Sequence, residues 1–542
     1  MTTPWWRGAV VYQIYPRSFA DGSGDGVGDL AGATARLPYV ASLGVDAVWL
    51  SPVFVSPMVD NGYDVSDYRD IDPLFGTLAD FDAFVAQAHR LGLKVILDQV
   101  YSHTSDKHPW FAQSRAARDG ERADWYVWAD PAPGGGPPNN WQCWFGEAAW
   151  SWAAERGQYY LHNFHPKMPD LNFWTDGVVD ETLATARFWL DRGVDGLRLD
   201  VCNYYRHDPQ LRDNPPKIVA HPAKPFELQS HDYNCDRPEN LVVIEALRRT
   251  LDAYPDRFAI GEIVSEDNVG RVLEYTADPA RLHSAYSFAF LRGWPGRAGF
   301  SAIMDAYGGA PSAWPSFAFS NHDTERVASR WGAPGHEPAA ARLFLALLLC
   351  LRGTVFLYQG EELGLTESDV PFERITDPSG LAGWPVYKGR DGCRTPFPWQ
   401  AEAAHLGFSA AEPWLPAEPA HAALAADRQE ADPASTLAFA RALIAWRKAT
   451  PALRDGDLHI LASPGETVAF ARTGADGTRI VCAFNPSSRP CPVPAEAAAR
   501  TVFSQRTQFG GGALWLAPYG FVISVFAPDD HSLGCDHDHH HH

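Results

Sequence analysis

Short apolar runs rich in β-branched residues alternate along the chain with longer amphipathic stretches. "VVYQIYP" (residues 10–16) precedes a Gly/Asp loop and the amphipathic "LAGATARLPYVASLG". "DAVWLSP" (46–52) precedes a helical pattern from Leu78 to Leu91, and "KVILDQV" (94–100) follows it. That order predicts parallel strands joined by crossover helices. After His103 the alternation lapses, and residues 104 to about 175 are rich in Trp, Pro, Gly and Asn, as in an irregular inserted domain. It resumes with a helix near 177–192, "VDGLRLD" (194–200), a Pro-rich loop at about 205–238, a helix near 239–253 and "RFAIGEI" (257–263). Further strands are predicted at about 283–290, 316–323 and 353–362.

Eight strand candidates in this order predict an α/β fold of the (β/α)₈ barrel type, in which chemistry sits at the C-terminal ends of the strands. A second insertion, about 363–430, precedes the helical "STLAFARALIAWRKA". From about residue 456 "TVAFAR", "RIVCAFN" and "GFVISVFAP" read as antiparallel strands of a small β domain. The expected organisation is therefore a barrel over 1–103 and 176–455, an inserted domain over 104–175, a C-terminal β domain over 456–530 and a His-rich tail over 531–542.

Composition narrows the function. Hydrophobic residues make up 46% of the 542 and charged ones 20%, as in a globular protein. A net charge of -21 disfavours nucleic acid and anionic membranes as partners. No run approaches the roughly 20 apolar residues of a membrane span, and the N-terminus lacks a signal core. The 8 cysteines show neither a CxxC pair nor zinc spacing, so free thiols in the cytoplasm are expected. Twenty Trp are unusual, and indole faces stack well on sugar rings.

The loop "DGSGDGVGDL" (21–30) spaces Asp21, Ser23, Asp25 and Asp29 like the first ligands of an EF-hand, with the Val27 main-chain oxygen in register. The bidentate Glu of such a loop is missing, because Gly32 holds its position, and a strand rather than a helix precedes it. The choice is between a fixed hard cation on a βα unit and a plain Gly/Asp turn.

Asp200, Glu262 and Asp323 fall at the predicted ends of three different strands, and with Asp98 and His103 they would converge at the barrel mouth. Arg198 lies two residues before Asp200, on the same strand face, where its guanidinium would keep that carboxylate ionised. A single strand-end Asp is most often a turn residue or a cap; the set is harder to dismiss.

The ordered segments "DQVYSH", "GLRLDVCN", "GEI" and "FSNHD" resemble the four core motifs of the α-amylase superfamily, glycoside hydrolase family 13. "MPDLN" (168–172) is similar to the QPDLN signature of oligo-1,6-glucosidases and related α-glucosidases, with Met168 in place of Gln, and Ser102 stands where Asn is common. The resemblance implies Asp200 as nucleophile, Glu262 as general acid and base, and Asp323 as the carboxylate that steadies the distorted sugar. It implies Arg198, His103 and His322 around the terminal glucose, Tyr63 as a stacking aromatic, and Asp64 binding the outer hydroxyls, paired with Arg390. Phe145 and Phe164 are weaker candidates for the wall. Val201, next to the nucleophile, matches relatives active on α-1,6 bonds. The resemblance also favours a calcium or magnesium ion on Asp21, Ser23, Asp25, the Val27 carbonyl and Asp29, in a structural role, with no organic cofactor.

The expected activity is that of an exo-acting, retaining α-glucosidase on disaccharides and short oligosaccharides, with transglucosylation as a second outcome. The rival readings are a sucrose isomerase or other glucosyl-transferring relative, a noncatalytic barrel, and a calcium sensor. The intact carboxylates and the lack of a membrane span speak against the noncatalytic barrel.

Overall fold

The computed structural model describes residues 2–528, so the expected His-rich tail lies outside the described residues. Eight parallel strands close into a barrel: β1 (Val10–Ile14), β2 (Ala47–Leu50), β3 (Lys94–Gln99), β4 (Gly196–Leu199), β5 (Phe258–Ile263), β6 (Ser284–Ser287), β7 (Trp314–Ala318) and β8 (Thr354–Tyr358). Each pairs with its neighbours in chain order, and β8 closes on β1 through Val10↔Val355 to Gln13↔Tyr358.

The strands are apolar on both faces because both are buried, the usual reason parallel strands read as continuous hydrophobic runs. Val11, Trp49, Ile96, Ile260, Tyr286 and Phe356 point inward and fill the barrel. Their neighbours, such as Val10, Tyr12, Val48, Val95 and Leu97, point outward into the layer packed by helices. The period of two along each strand thus sorts one sequence into two cores. The helix Leu78–Arg90 starts at a capping box in which Thr77 and Asp80 satisfy each other's backbone N–H. Strand β6 is shorter than the apolar run suggested, because a 3₁₀ turn takes over at Phe288–Phe290.

The segment between β3 and β4 is less irregular than its composition predicts. It carries a helix (Pro109–Ala116) and a three-stranded antiparallel sheet of Trp128–Ala129, Gln158–Leu161 and Trp150–Ala153. Indole N–H groups find partners there, Trp150 on Asn139 at 2.7 Å and Trp128 on Ser114 at 2.9 Å.

At the C-terminus Asp457–Ile460, Val468–Thr473, Arg479–Phe484 and Ala513–Phe526 form consecutive antiparallel strands of a second sheet. The helix Glu337–Cys350 packs against this sheet and is wholly apolar and buried from Leu343 to Cys350, which leaves that part without a polar face. Two buried guanidiniums tie the parts together. Arg447 donates to the carbonyls of Leu349, Leu351 and Gly353, and Arg472 to those of Cys350 and Gly456.

Candidate active site

The C-terminal ends of β4, β5 and β7 bring three carboxylates to one cavity of about 100 Å³, bordered by Asp200, Glu262 and Asp323. Asp200 directly follows β4, Glu262 lies within β5, and Asp323 follows β7 by a short turn. Beside Glu262, Gly261 leaves room for its neighbours, since a Cβ there would lie 2.6 Å from both Cys202 Sγ and Leu282 Cδ1.

Arg198, wholly buried beneath the cavity, joins the set. Its Nη1 donates to Asp200 at 2.7 Å and to Asp98 at 3.0 Å, and its Nη2 donates to Glu262 at 2.7 Å. Asp98 in turn accepts from Tyr63 Oη at 2.8 Å and Trp49 Nε1 at 3.1 Å, so β2, β3 and β4 are locked together under the floor.

The three carboxyls differ in their ease of ionisation. Burial pushes Glu262 up to about 8, with Asp200 and Asp323 adding to the rise and Arg198 opposing it. Burial also raises Asp200, to about 7, against the pull of Arg198. Asp323 is buried too, but His322, Arg390 and Arg394 outweigh that and hold it well below the ordinary carboxylate range. Asp323 therefore ionises first and Glu262 last.

The two histidines are neutral. Burial lowers His103 to about 4 and His322 to about 3. The Tyr63 carbonyl, 2.9 Å from His103 Nε2, can only accept, so that nitrogen carries the proton and Nδ1 accepts from Ser102 Oγ at 2.8 Å. Ser102 thus fixes the tautomer. His322 accepts at Nδ1 from Gln13 Nε2, 2.8 Å away, with the amide orientation that leaves Nε2–H toward Asp323 at 3.4 Å. The Tyr63 ring stacks on His322 with centroids 5.1 Å apart and planes 3° apart.

The expected pairing of Asp64 with Arg390 is not formed. Asp64 is turned away from the cavity and accepts from the N–H groups of Val59 and Asp60 and from Ser56 Oγ. Asp60 takes its place, 2.6 Å from Arg390 Nη2. Asn61 at φ 49° and Gly62 at φ 105° turn the chain between the two acids and send their carboxylates in different directions. Arg390 also donates to Asp323 at 3.1 Å and twice to Asp377, at 2.7 and 2.9 Å.

Tyr63, His103, Phe145, Phe164, Val201, His322 and Arg390 all border the cavity. Trp144, Phe288 and Tyr387 border it as well and were not foreseen. Val201 has a left-handed backbone at φ 36°, unusual for a β-branched residue, and this turn aims its N–H at Glu262 Oε1, 3.2 Å away.

In the first loop one carboxylate oxygen each from Asp21, Asp25 and Asp29 lies within 4.8 Å of the others. Burial opposes ionisation of Asp21, but donors from Ser409, Gly26, Gly24 and Ser23 hold its carboxyl below the usual value. Ser23 Oγ is 3.3 Å from Asp21 Oδ1, and Asp29 also caps the following helix through Gly32 N–H.

Residues 13–456 match the catalytic domain of α-amylase. The chain belongs to the α-amylase family. It is 50% identical over 496 residues to a probable α-glucosidase of Rhizobium meliloti, with 89% of each chain covered. It is 37% identical over 483 residues to an oligo-1,6-glucosidase of Parageobacillus thermoglucosidasius, covering 83% of this chain and 84% of that one. The crystal structure of the α-glucosyl transfer enzyme XgtA superposes with a TM-score of 0.92 at 48% identity, covering 97% of this chain and 100% of XgtA. That of the trehalulose synthase MutB from Pseudomonas mesoacidophila gives 0.88 at 32%, with 97% and 100% covered. The protein is a glycoside hydrolase of the α-glucosidase kind. No helix among the described residues is long and apolar enough to cross a membrane.

Proposed function

We propose that the protein is an exo-acting, retaining α-glucosidase that removes one terminal α-linked glucose from disaccharides and short oligosaccharides, and that also passes glucosyl groups to acceptors other than water. The observation that carries this reading is the Asp60–Arg390 ion pair at the cavity that holds Asp200 and Glu262. A charged clamp there would hold the hydroxyls of one nonreducing sugar and leave no room for a polymer to run through.

In this mechanism Asp200 attacks the anomeric carbon while Glu262 gives its proton to the glycosidic oxygen, so the C–O bond breaks and the aglycone leaves as an alcohol. Glu262, now a carboxylate, takes a proton from water or an acceptor hydroxyl, whose oxygen bonds to the anomeric carbon as the Asp200 ester breaks. Two displacements restore the α configuration. One guanidinium contacts both Asp200 and Glu262, which suits the ~5 to 5.5 Å carboxyl separation of retaining enzymes. The raised Glu262 suits an acid that must hold a proton near neutrality. Ionised Asp323, backed by Arg390 and Arg394, suits a group that steadies a cationic sugar.

The clustered oxygens of Asp21, Asp25 and Asp29 suit a calcium or magnesium ion that braces the first βα loop. The seven free cysteines of the described residues suit a cytoplasmic setting.

The test incubates the protein and an Asp200→Asn variant with maltose, isomaltose and sucrose, following anomers by NMR. α-Glucose released first by the wild type alone supports retention; β-glucose overturns it. Sucrose converted into another disaccharide without free glucose favours an isomerase, the reading to which the likeness to MutB lends support.

A further inference from the structure

A second cavity, of about 860 Å³, lies beside the sugar cavity beneath the Pro-rich loop. Trp144 and Val264 border both, so the two spaces share a wall next to the catalytic carboxylates. A cavity of 100 Å³ suits a single sugar ring, which leaves the larger one for whatever departs from that sugar or arrives to take it.

The walls of the larger cavity differ in chemistry. Around Val264 three acids have partners: Asp236 accepts from Asn203 and Ser265 and faces Arg271 at 3.7 Å, Glu266 lies 3.4 Å from Lys217, and Asp267 caps a helix through Gly270, while Asp232 is exposed to solvent. Around Trp144 the surface is aromatic. Trp144 meets Phe226 edge to face at 5.2 Å, and Phe226 stacks on His231 at 3.8 Å.

Two cations stand at this aromatic wall. Lys224 Nζ sits 3.4 Å from the centre of the Trp144 ring, and Arg292 reaches in from the turn after β6. Neither has a carboxylate within ion-pairing distance among the described residues. The nearest acid, Glu227, uses its Oε2 on the main-chain N–H groups of Ala223 and Lys224. Burial lowers Lys224 to about 8, with the nearby Glu227 charge opposing the drop.

We propose that this chamber holds the aglycone or acceptor and selects an aromatic alcohol bearing a carboxylate, its ring against Trp144 and Phe226 and its negative charge on Lys224 and Arg292. In transfer, the phenolic oxygen of such an acceptor bonds to the anomeric carbon, the Asp200 ester breaks, and the phenolic proton passes to Glu262. The proposal rests on the glucosyl-transfer reading above, and it adds a charge preference that reading does not contain. A neutral sugar in the same space would use neither cation.

The test compares kcat/KM for 4-carboxyphenyl α-glucoside and its uncharged counterpart, 4-carbamoylphenyl α-glucoside. The amide is the better leaving group, so a preference for the carboxylate comes from recognition. The wild type is expected to favour the charged substrate by about tenfold, the scale of one charge-assisted contact, and less at high salt. Lys224→Gln and Arg292→Gln are each expected to lose most of that preference. Equal rates, or a preference for the amide, in the wild type would overturn the proposal. A second readout does not need turnover: binding of 4-hydroxybenzoate against 4-hydroxybenzamide to the Asp200→Asn protein, followed by NMR. If neither glucoside is cleaved, the glucosidase reading fails, while selective binding of the benzoate that disappears in Lys224→Gln still supports the chamber. Absence of selective binding removes it.

Discussion

Arg390 Nη2 lies 2.6 Å from Asp60 Oδ1, although the two residues are 330 apart in the chain. If this pair closes the far end of the sugar cavity, Asp60→Asn should weaken recognition of a terminal glucose without removing the catalytic carboxylates. The expected result is a fall of roughly 10²-fold in kcat/KM on maltose, as for loss of a buried charged partner. Asp64→Asn should cost stability instead, because its carboxylate serves the backbone of the 56–60 turn. Steady-state kinetics and melting curves on both variants separate the two roles.

The pH profile follows from the two raised carboxyls. The proposed mechanism needs Asp200 ionised and Glu262 protonated, so the rate should rise as pH climbs through the Asp200 value of about 7 and fall through the Glu262 value of about 8. A narrow bell between these limbs is expected in kcat/KM. Because the groups share one field, the limbs belong to the pair rather than to either residue. A flat profile from pH 5 to 9 would refute the assignment.

Azide distinguishes nucleophile from acid. Asp200→Gly and Glu262→Gly should each lose about 10⁴-fold or more in hydrolysis of an aryl α-glucoside. Azide added to the first should enter the vacated face and give a β-glucosyl azide. Added to the second, it should intercept the ester and give the α-azide. NMR of the products reads the configuration, and exchanged outcomes would exchange the roles.

Chelation should act on stability more than on chemistry. If Asp21, Asp25 and Asp29 hold a divalent ion as proposed, its removal is expected to lower Tm by several degrees, with recovery on adding calcium or magnesium. Asp25→Asn should show the lower Tm and no response to either ion. A melting curve indifferent to chelator would mean that the loop is a turn held by its own hydrogen bonds.

The left-handed turn at Val201 sets the N–H that contacts Glu262. Val201→Gly should keep that contact and relieve the backbone, while opening the cavity wall next to the nucleophile. The expected change is a several-fold shift in the ratio of isomaltose to maltose hydrolysis, the scale of a small apolar contact. An unchanged ratio would free linkage choice from this residue.

The barrel was legible because its strands are buried on both faces, so most read as short apolar runs, and the acids at or near the run ends mark the mouth. The Arg198–Asp200 contact followed from the period of two along a strand, and it forms at 2.7 Å. Asp60 escaped because it shares the irregular "DNGYD" with Asp64, where no periodicity says which carboxylate points where. Trp144 and Tyr387 escaped for the same reason: both sit in long insertions, and only tertiary packing brings them to the cavity.

Trp144 faces two compartments at once. If a shift of Trp144 that favours an occupant on one side alters the affinity for a sugar on the other, thermodynamic reciprocity makes the two factors equal. If the protein transfers glucosyl groups as proposed, donor and acceptor would be coupled ligands of one indole, and the partition between hydrolysis and transfer would be a property of that coupling as well as of water's access to the ester.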